Sequence, residues 1–177
     1  MDGFEISKKR IMHIDMSCKF YEKRDSGVAF KILKSGAHKG LVLSNKLKRE
    51  LDRDIHAYED YARLYAICIY TLIENNLDDF DILVVCGDEE FDDVKKYLDM
   101  IFRGNEIYQL KDIISIGELR EITGKPKLRS FADRIANIYR RKARKPLYRR
   151  QNGISLNIVG LGHRQICEKW IQLIKKA

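Results

Sequence analysis

Two groups of residues carry types that could do chemistry. The first is acidic. Asp15 stands in the middle of an apolar run, "IMHIDMSCKF" (11–20), that alternates well enough to be a strand. Aspartate is depleted in strands, and an unpaired buried carboxylate is costly, so its presence asks for a partner or a ligand. Asp88 directly follows a second apolar run, Ile82 to Cys86, at "CGDEE". Each acid also has a plainer alternative: Asp15 as a structural acid bonded to a backbone amide, Asp88 as an ordinary turn residue. The second group is basic. Between 125 and 150 there are eleven Lys and Arg, among them Arg140, Arg141, Lys142, Arg144, Lys145, Arg149 and Arg150, against the single acid Asp133. The chain of 177 residues carries a net charge of +8, so this segment at +10 leaves the remainder at −2. A near-neutral body with one basic segment points to a polyanionic partner, nucleic acid first. Tyr139 and Tyr148, interleaved with the charges, are candidates to stack on bases. The alternative is a solvated basic helix.

Composition narrows the setting. The chain is 45% apolar and 34% charged, as in a globular protein rather than a disordered one. No apolar run approaches the length of a bilayer span, so no membrane partner is expected. No signal-peptide core is visible at the start, and the reading is a cytoplasmic protein. Cys18, Cys68, Cys86 and Cys167 form no C-x-x-C pair and read as small core residues. The glycines match neither a Walker A loop nor a dinucleotide fingerprint, and no nucleophile elbow is present. His13, His38 and His56 read as solvent-facing or edge residues.

The elements that must position these groups follow from periodicity. Strands are expected at 11–20, 28–33 and 41–45, joined by the short turns "YEKRDSG" and "KSGAHKG", hence an antiparallel meander. From about 47 the period becomes helical for thirty residues without Gly or Pro. The continuous run 82–86 predicts a strand buried on both faces, as in a parallel sheet. A helix over 92–102, a strand within 106–116, and a short helix closed by Gly124 follow. Next come a basic helix over 130–143 with Ser130 as N-cap, a strand over 153–160 and a last helix over 163–176. One α/β domain over 1–177, with the basic helical segment 125–150, is the expectation.

The segments "HIDMSCKF…SGVAFKI" and "DILVVCGDEEF", with this element order, resemble the ribonuclease H-like superfamily. The resemblance implies a mixed sheet: a three-stranded antiparallel meander, then alternating helices and parallel strands. It implies that the first and fourth strands are neighbours, so that Asp15 and Asp88 lie side by side at the sheet's end. Adjacent carboxylates repel, and Mg²⁺ or Mn²⁺, which favour carboxylate and water oxygens, would relieve them. A third metal-holding acid would come from the helix after strand three. Asp60 is preferred because it shares a face with Leu64, Ile67 and Cys68; Glu59, a turn from Arg63, is the alternative. "GLGHRQICEKW" resembles that fold's last strand–loop–helix and nominates Glu168 as the fourth acid, with His163 as a proton shuttle; Asp133 competes with Glu168. The implied function is a divalent-metal-dependent nuclease acting on RNA or DNA, with the basic segment gripping the backbone away from the cut. The alternatives are a non-catalytic nucleic-acid-binding protein on the same fold and a protein-interaction module. A homo-oligomeric state is left open.

Overall fold

The computed structural model describes residues 8–86, 90–142 and 157–176. Five strands, β1 (Ile11–Ser17), β2 (Ser26–Ile32), β3 (His38–Leu43), β4 (Ile82–Val85) and β5 (Asp112–Ser115), form one mixed sheet in the order β3-β2-β1-β4-β5. β1 runs antiparallel to β2 and β2 to β3; β4 is parallel to β1, and β5 to β4. Short turns permit the antiparallel hairpins. The parallel pairs need crossovers, and the helices supply them.

Alternation along the strands divides the sheet into two faces. Met12, Ile14, Val28, Phe30, Leu41, Leu43, Leu83 and Val85 pack on one side. They are covered by α2 (Tyr61–Ile73), α3 (Phe91–Ile101) and α7 (His163–Lys176), whose Leu64, Ile67, Cys68, Val94, Leu98, Ile166 and Trp170 fill the main core. On the opposite side Ile82, Val84 and Cys86 meet Leu119 of α5 (Ile116–Thr123), and Ala29 meets Ile135, Ala136 and Tyr139 of α6 (Asp133–Lys142). β4 is therefore apolar on both faces, which is why its sequence reads as a continuous run. No helix among the described residues is long and apolar enough to cross a membrane.

The long helical stretch is two helices. α1 (Asn45–Ile55) ends at His56, whose backbone is left-handed with φ 50°. A single 3₁₀ turn (Ala57–Glu59) follows, and α2 restarts with Asp60 as N-cap, its carboxylate accepting the Arg63 N–H at 2.9 Å. The first strand stops at Ser17 because Cys18 takes φ 74°. The stretch expected as a strand over 106–116 begins instead as a short helix, α4 (Glu106–Gln109), capped by Asn105 and fixed by Tyr108 stacking on Phe102 at 4.3 Å; only Asp112–Ser115 is extended. The basic helix begins at Asp133, not Ser130, whose hydroxyl accepts the Ala132 N–H in the preceding turn. Of the expected strand over 153–160, the described part is a single parallel bridge, Ile158 to Gly40; residues 153–156 lie outside the described residues.

α6 sits unusually close to the sheet. A Cβ on Gly27 would lie 2.5 Å from the Ala136 carbonyl oxygen, and one on Gly40 2.6 Å from the Tyr139 ring. These two glycines, with Ala29 between them in the sheet, make the bed in which the basic helix lies.

Candidate functional site

The alternation that buries Met12 and Ile14 sends His13 and Asp15 to the α5/α6 side. Asp15 lies opposite Ala29 of β2 and is only 8% exposed. Its Oδ1 accepts the Met16 N–H at 2.7 Å. Next to it the parallel strand ends: Val85 is in register with Ile14, and the Cys86 N–H donates to the Ile14 carbonyl at 2.9 Å. At this carboxyl end of the β1–β4 pair a cavity of about 610 Å³ opens, with Asp15 in its wall. Glu22 and Asp133 bring two further carboxylates to it, and Lys19, Arg120 and Arg129 three cations. Sites in open α/β sheets form where parallel strands end, because the loops diverge there.

Two buried groups near Asp15, His13 and Cys86, are neutral. His13 has no exposed surface, its ring meets the Phe131 edge at 5.0 Å, and its Nε2 has no hydrogen-bond partner among the described residues. Burial pulls its pKa down to about 4. This corrects the expectation of a solvent-facing histidine. Burial likewise pushes the Cys86 thiol up to about 12, with the charges of Asp15 and Asp133 adding to the effect. Cys86 is thus an inert apolar wall. Cys18 lines the cavity half-buried, and its pKa is also raised, by burial first and by its hydrogen bond to Glu22 second.

The predicted acids separate. Asp60 lies elsewhere: α2 packs on the face opposite Asp15, and Asp60 does not line the cavity. It caps α2, accepts the Tyr97 hydroxyl and pairs with Arg63 at 3.1 Å. Its supposed orientation toward the sheet is corrected by this capping role, and Arg63 turns to Asp60 rather than to Glu59, which is exposed on the 3₁₀ turn. Glu168 is exposed and paired with Arg164 one turn away at 2.8 Å, an ordinary surface contact. His163 opens α7 and lies 3.0 Å from Asp54 of α1, on the helical side. Neither lines the Asp15 cavity. Asp133, the competing acid, does. Asp88 lies outside the described residues, two positions beyond Cys86 in sequence.

The basic segment is also corrected in part. Arg129 and Asp133 line the Asp15 cavity, and Arg140 donates from Nε to the Ser17 hydroxyl at 3.1 Å, two residues from Asp15 on the same face of β1. Arg129, Asp133 and Arg140 are therefore near the acid, not away from it. Tyr139, expected to stack on bases, is fully buried; its hydroxyl accepts the Asn157 N–H at 2.9 Å and lies 3.0 Å from His38 Nδ1. Arg141 is exposed at the end of α6. The Lys142 side chain, Arg144, Lys145, Tyr148, Arg149 and Arg150 lie outside the described residues.

Sequence reading missed Glu22, Lys19 and Arg120; Arg129 belongs to the basic segment 125–150 that it singled out. Glu22 and Lys19 follow immediately on the strand that carries Asp15, so the rule that sites gather at carboxyl ends of parallel strands would have found them. Nothing in the pattern marks Arg120, which reads as one charge among several on a short helix.

Carboxylate oxygens are the donors that Mg²⁺ and Mn²⁺ prefer. Among the described residues no three His, Cys, Asp or Glu side chains are grouped to hold an ion. Mg²⁺ does not require such a cage: it keeps several waters and is commonly held by one or two carboxylates together with substrate phosphates. Asp15 and Asp133 match that pattern in kind. The chain matches no family model, no curated protein and no solved structure.

Proposed function

We propose that this chain is a ribonuclease H-like, divalent-metal-dependent nuclease that hydrolyses phosphodiesters of RNA or DNA at the Asp15 cavity. The observation that carries the reading is a nearly buried carboxylate at the carboxyl end of a central parallel strand pair, opening into a cavity with two more acids and three cations. The strand order β3-β2-β1-β4-β5, with only β2 reversed, is the arrangement that the superfamily resemblance implies. A bound Mg²⁺ or Mn²⁺ would neutralise charge on the phosphate and ease ionisation of water. Asp15 would hold that ion, with Asp133 as its second carboxylate. Lys19, Arg120 and Arg129 orient the substrate's phosphates, Arg through paired N–H donors. Cys86 and the neutral His13 exclude water from beneath the site.

The decisive experiment compares wild type with Asp15→Asn on single-stranded and duplex RNA and DNA, with and without Mn²⁺. Cleavage that needs the metal and disappears in the variant is expected. The variant should stay folded, because Asn keeps the shape of Asp and an Oδ1 that can accept the Met16 N–H. A variant that cuts as well as wild type per folded molecule would sink the reading.

A second reading, nucleic-acid binding without cleavage on the same cavity, is favoured by the lack of a three-ligand group among the described residues. Binding that is unaffected by Mn²⁺, with intact substrate recovered, would select it. In either case Arg129→Gln with Arg140→Gln should flatten log affinity against log salt by about 0.7 per lost contact on a single strand. An unchanged slope would show that these cations face something other than phosphate.

A further inference from the structure

The loop between β1 and β2 carries an exposed aromatic side chain that the fold does not need. Tyr21 is 52% exposed, while its neighbours in sequence, Lys19 and Glu22, both line the Asp15 cavity. The ring rests on an aromatic stack that leads inward. Tyr21 lies 5.7 Å from Tyr61, and Tyr61 lies 5.7 Å from Tyr58 and 6.5 Å from the fully buried Phe20. The Lys19 ammonium lies 5.7 Å from the centre of the Tyr21 ring.

The loop that presents this ring has a fixed shape. Lys48 of α1 is completely buried, and its ammonium donates to the Glu22 carbonyl at 2.8 Å, the Lys19 carbonyl at 3.3 Å and the Ser26 hydroxyl at 3.0 Å. A buried ammonium with three acceptors holds its neighbours strongly, since each would otherwise be left unsatisfied. The loop's two acids accept backbone donors, Glu22 the Lys19 N–H at 3.0 Å and Asp25 the Asn45 N–H at 2.8 Å, and Glu22 also lies 3.8 Å from the largely exposed Arg24. Lys23 and Arg24 are exposed. A preformed loop therefore presents an aromatic face and positive charge together, with Tyr21 against the start of α2 and Lys19 and Glu22 of the same loop in the cavity wall.

We propose that Tyr21 is a base-stacking platform that directs single-stranded nucleic acid into the Asp15 cavity. This rests on the reading of the cavity as a nucleic-acid site and adds which form it takes. Any unpaired base offers a π-face to an exposed ring, and stacking is tolerant of sequence, whereas the bases of a duplex are already stacked on one another. Phosphates flanking the stacked base would meet Lys19, Lys23 and Arg24.

The test measures binding by fluorescence anisotropy with three labelled probes of equal length: an oligothymidylate, its abasic deoxyribose-phosphate counterpart and a duplex. Tyr21→Ala should weaken oligothymidylate binding about five- to hundredfold. The abasic strand should bind wild type and Tyr21→Ala alike, Tyr21→Trp should restore oligothymidylate binding, and the salt dependence should stay unchanged because no charge is altered. Melting curves confirm that the variants are folded. Equal oligothymidylate affinity in wild type and Tyr21→Ala would overturn the platform while leaving the cavity reading intact. So would an equal loss on all three probes. A wild type that binds none of them would overturn both. Tyr21-dependent binding without cleavage in Mn²⁺ would support the platform and remove the nuclease reading alone.

Discussion

The two ends of the β1–β4 pair handle a carboxylate in opposite ways. At the amino end Asp81 accepts the Arg10 backbone N–H at 2.8 Å and two guanidinium N–H groups of the same residue, and its pKa falls to about 2. At the carboxyl end Asp15 accepts the N–H of the next residue and opens into a cavity. The strands, their register and the apolar packing between them are shared by both ends. What differs is the covering. The amino end is closed by a residue that brings a matching cation, while the carboxyl end is roofed by the start of α6 and the β1–β2 loop, which bring acids and cations around an open volume. One end closes on a single matched ion pair, while the other gathers three acids and three cations around a cavity that a ligand could enter.

The largest effect is expected from the roof. Tyr139 is fully buried, lies against Gly40 and hydrogen-bonds Asn157. Tyr139→Ala should cost about 3–5 kcal/mol, the usual loss when a buried aromatic is truncated. Chemical denaturation would read it. Because the same helix carries Asp133 to the cavity, nucleic-acid binding per folded molecule should fall as well. Full stability would mean that α6 does not depend on its glycine bed, and full binding would mean that the roof plays no part in the site.

How much of this was legible in the sequence depends on the kind of residue. The first four strands were, because period-two alternation and the unbroken run 82–86 can be read without knowing partners; of the stretch 106–116 only Asp112–Ser115 is extended. Asp15 was, since a carboxylate inside such a run contradicts its surroundings. Asp60 was misplaced for a physical reason: sharing a helix face with Leu64 and Ile67 says nothing when the residue is the N-cap, whose backbone is not yet helical (φ −145°). The break at His56 that makes it a cap leaves no Gly or Pro to signal it. Tyr139 was misread because its burial comes from two glycines more than ninety residues earlier in the chain, a long-range complementarity that local patterning cannot carry. Glu168 and His163 were assigned by resemblance alone, and the helix that bears them packs on the other face.

Asp60 offers the middle-sized test. If it is a cap and not a ligand, Asp60→Ala should cost about 1–3 kcal/mol: the lost cap, plus the Tyr97 hydroxyl and the Arg63 guanidinium left without their carboxylate. Asp60→Asn, which retains a capping oxygen, should cost less. Neither should change Mn²⁺-dependent cleavage per folded molecule. A loss of cleavage as complete as in Asp15→Asn would break the distinction between the two acids and return Asp60 to the site.

The smallest effect belongs to the closed end of the strand pair. Hydrogen bonds from the Arg10 guanidinium, then from its backbone, hold the Asp81 carboxyl well below its ordinary 3.8, at about 2. A carboxylate whose folded pKa is depressed adds stability while it is ionised in both states, above about pH 4. That contribution fades as pH falls toward 2 and both states become protonated. Both side chains are substantially exposed, with 51% of Arg10 and 35% of Asp81 accessible, so solvent screens the pair and its contribution is small. Asp81→Asn should therefore be slightly less stable than wild type at pH 7, and the gap should narrow steadily between pH 4 and pH 2.5 in urea titrations. Equal stability of wild type and Asp81→Asn from pH 7 down to pH 2.5 would mean that the Arg10 contact contributes nothing at the closed end, and that the contrast between the two ends lies in shape and not in charge pairing.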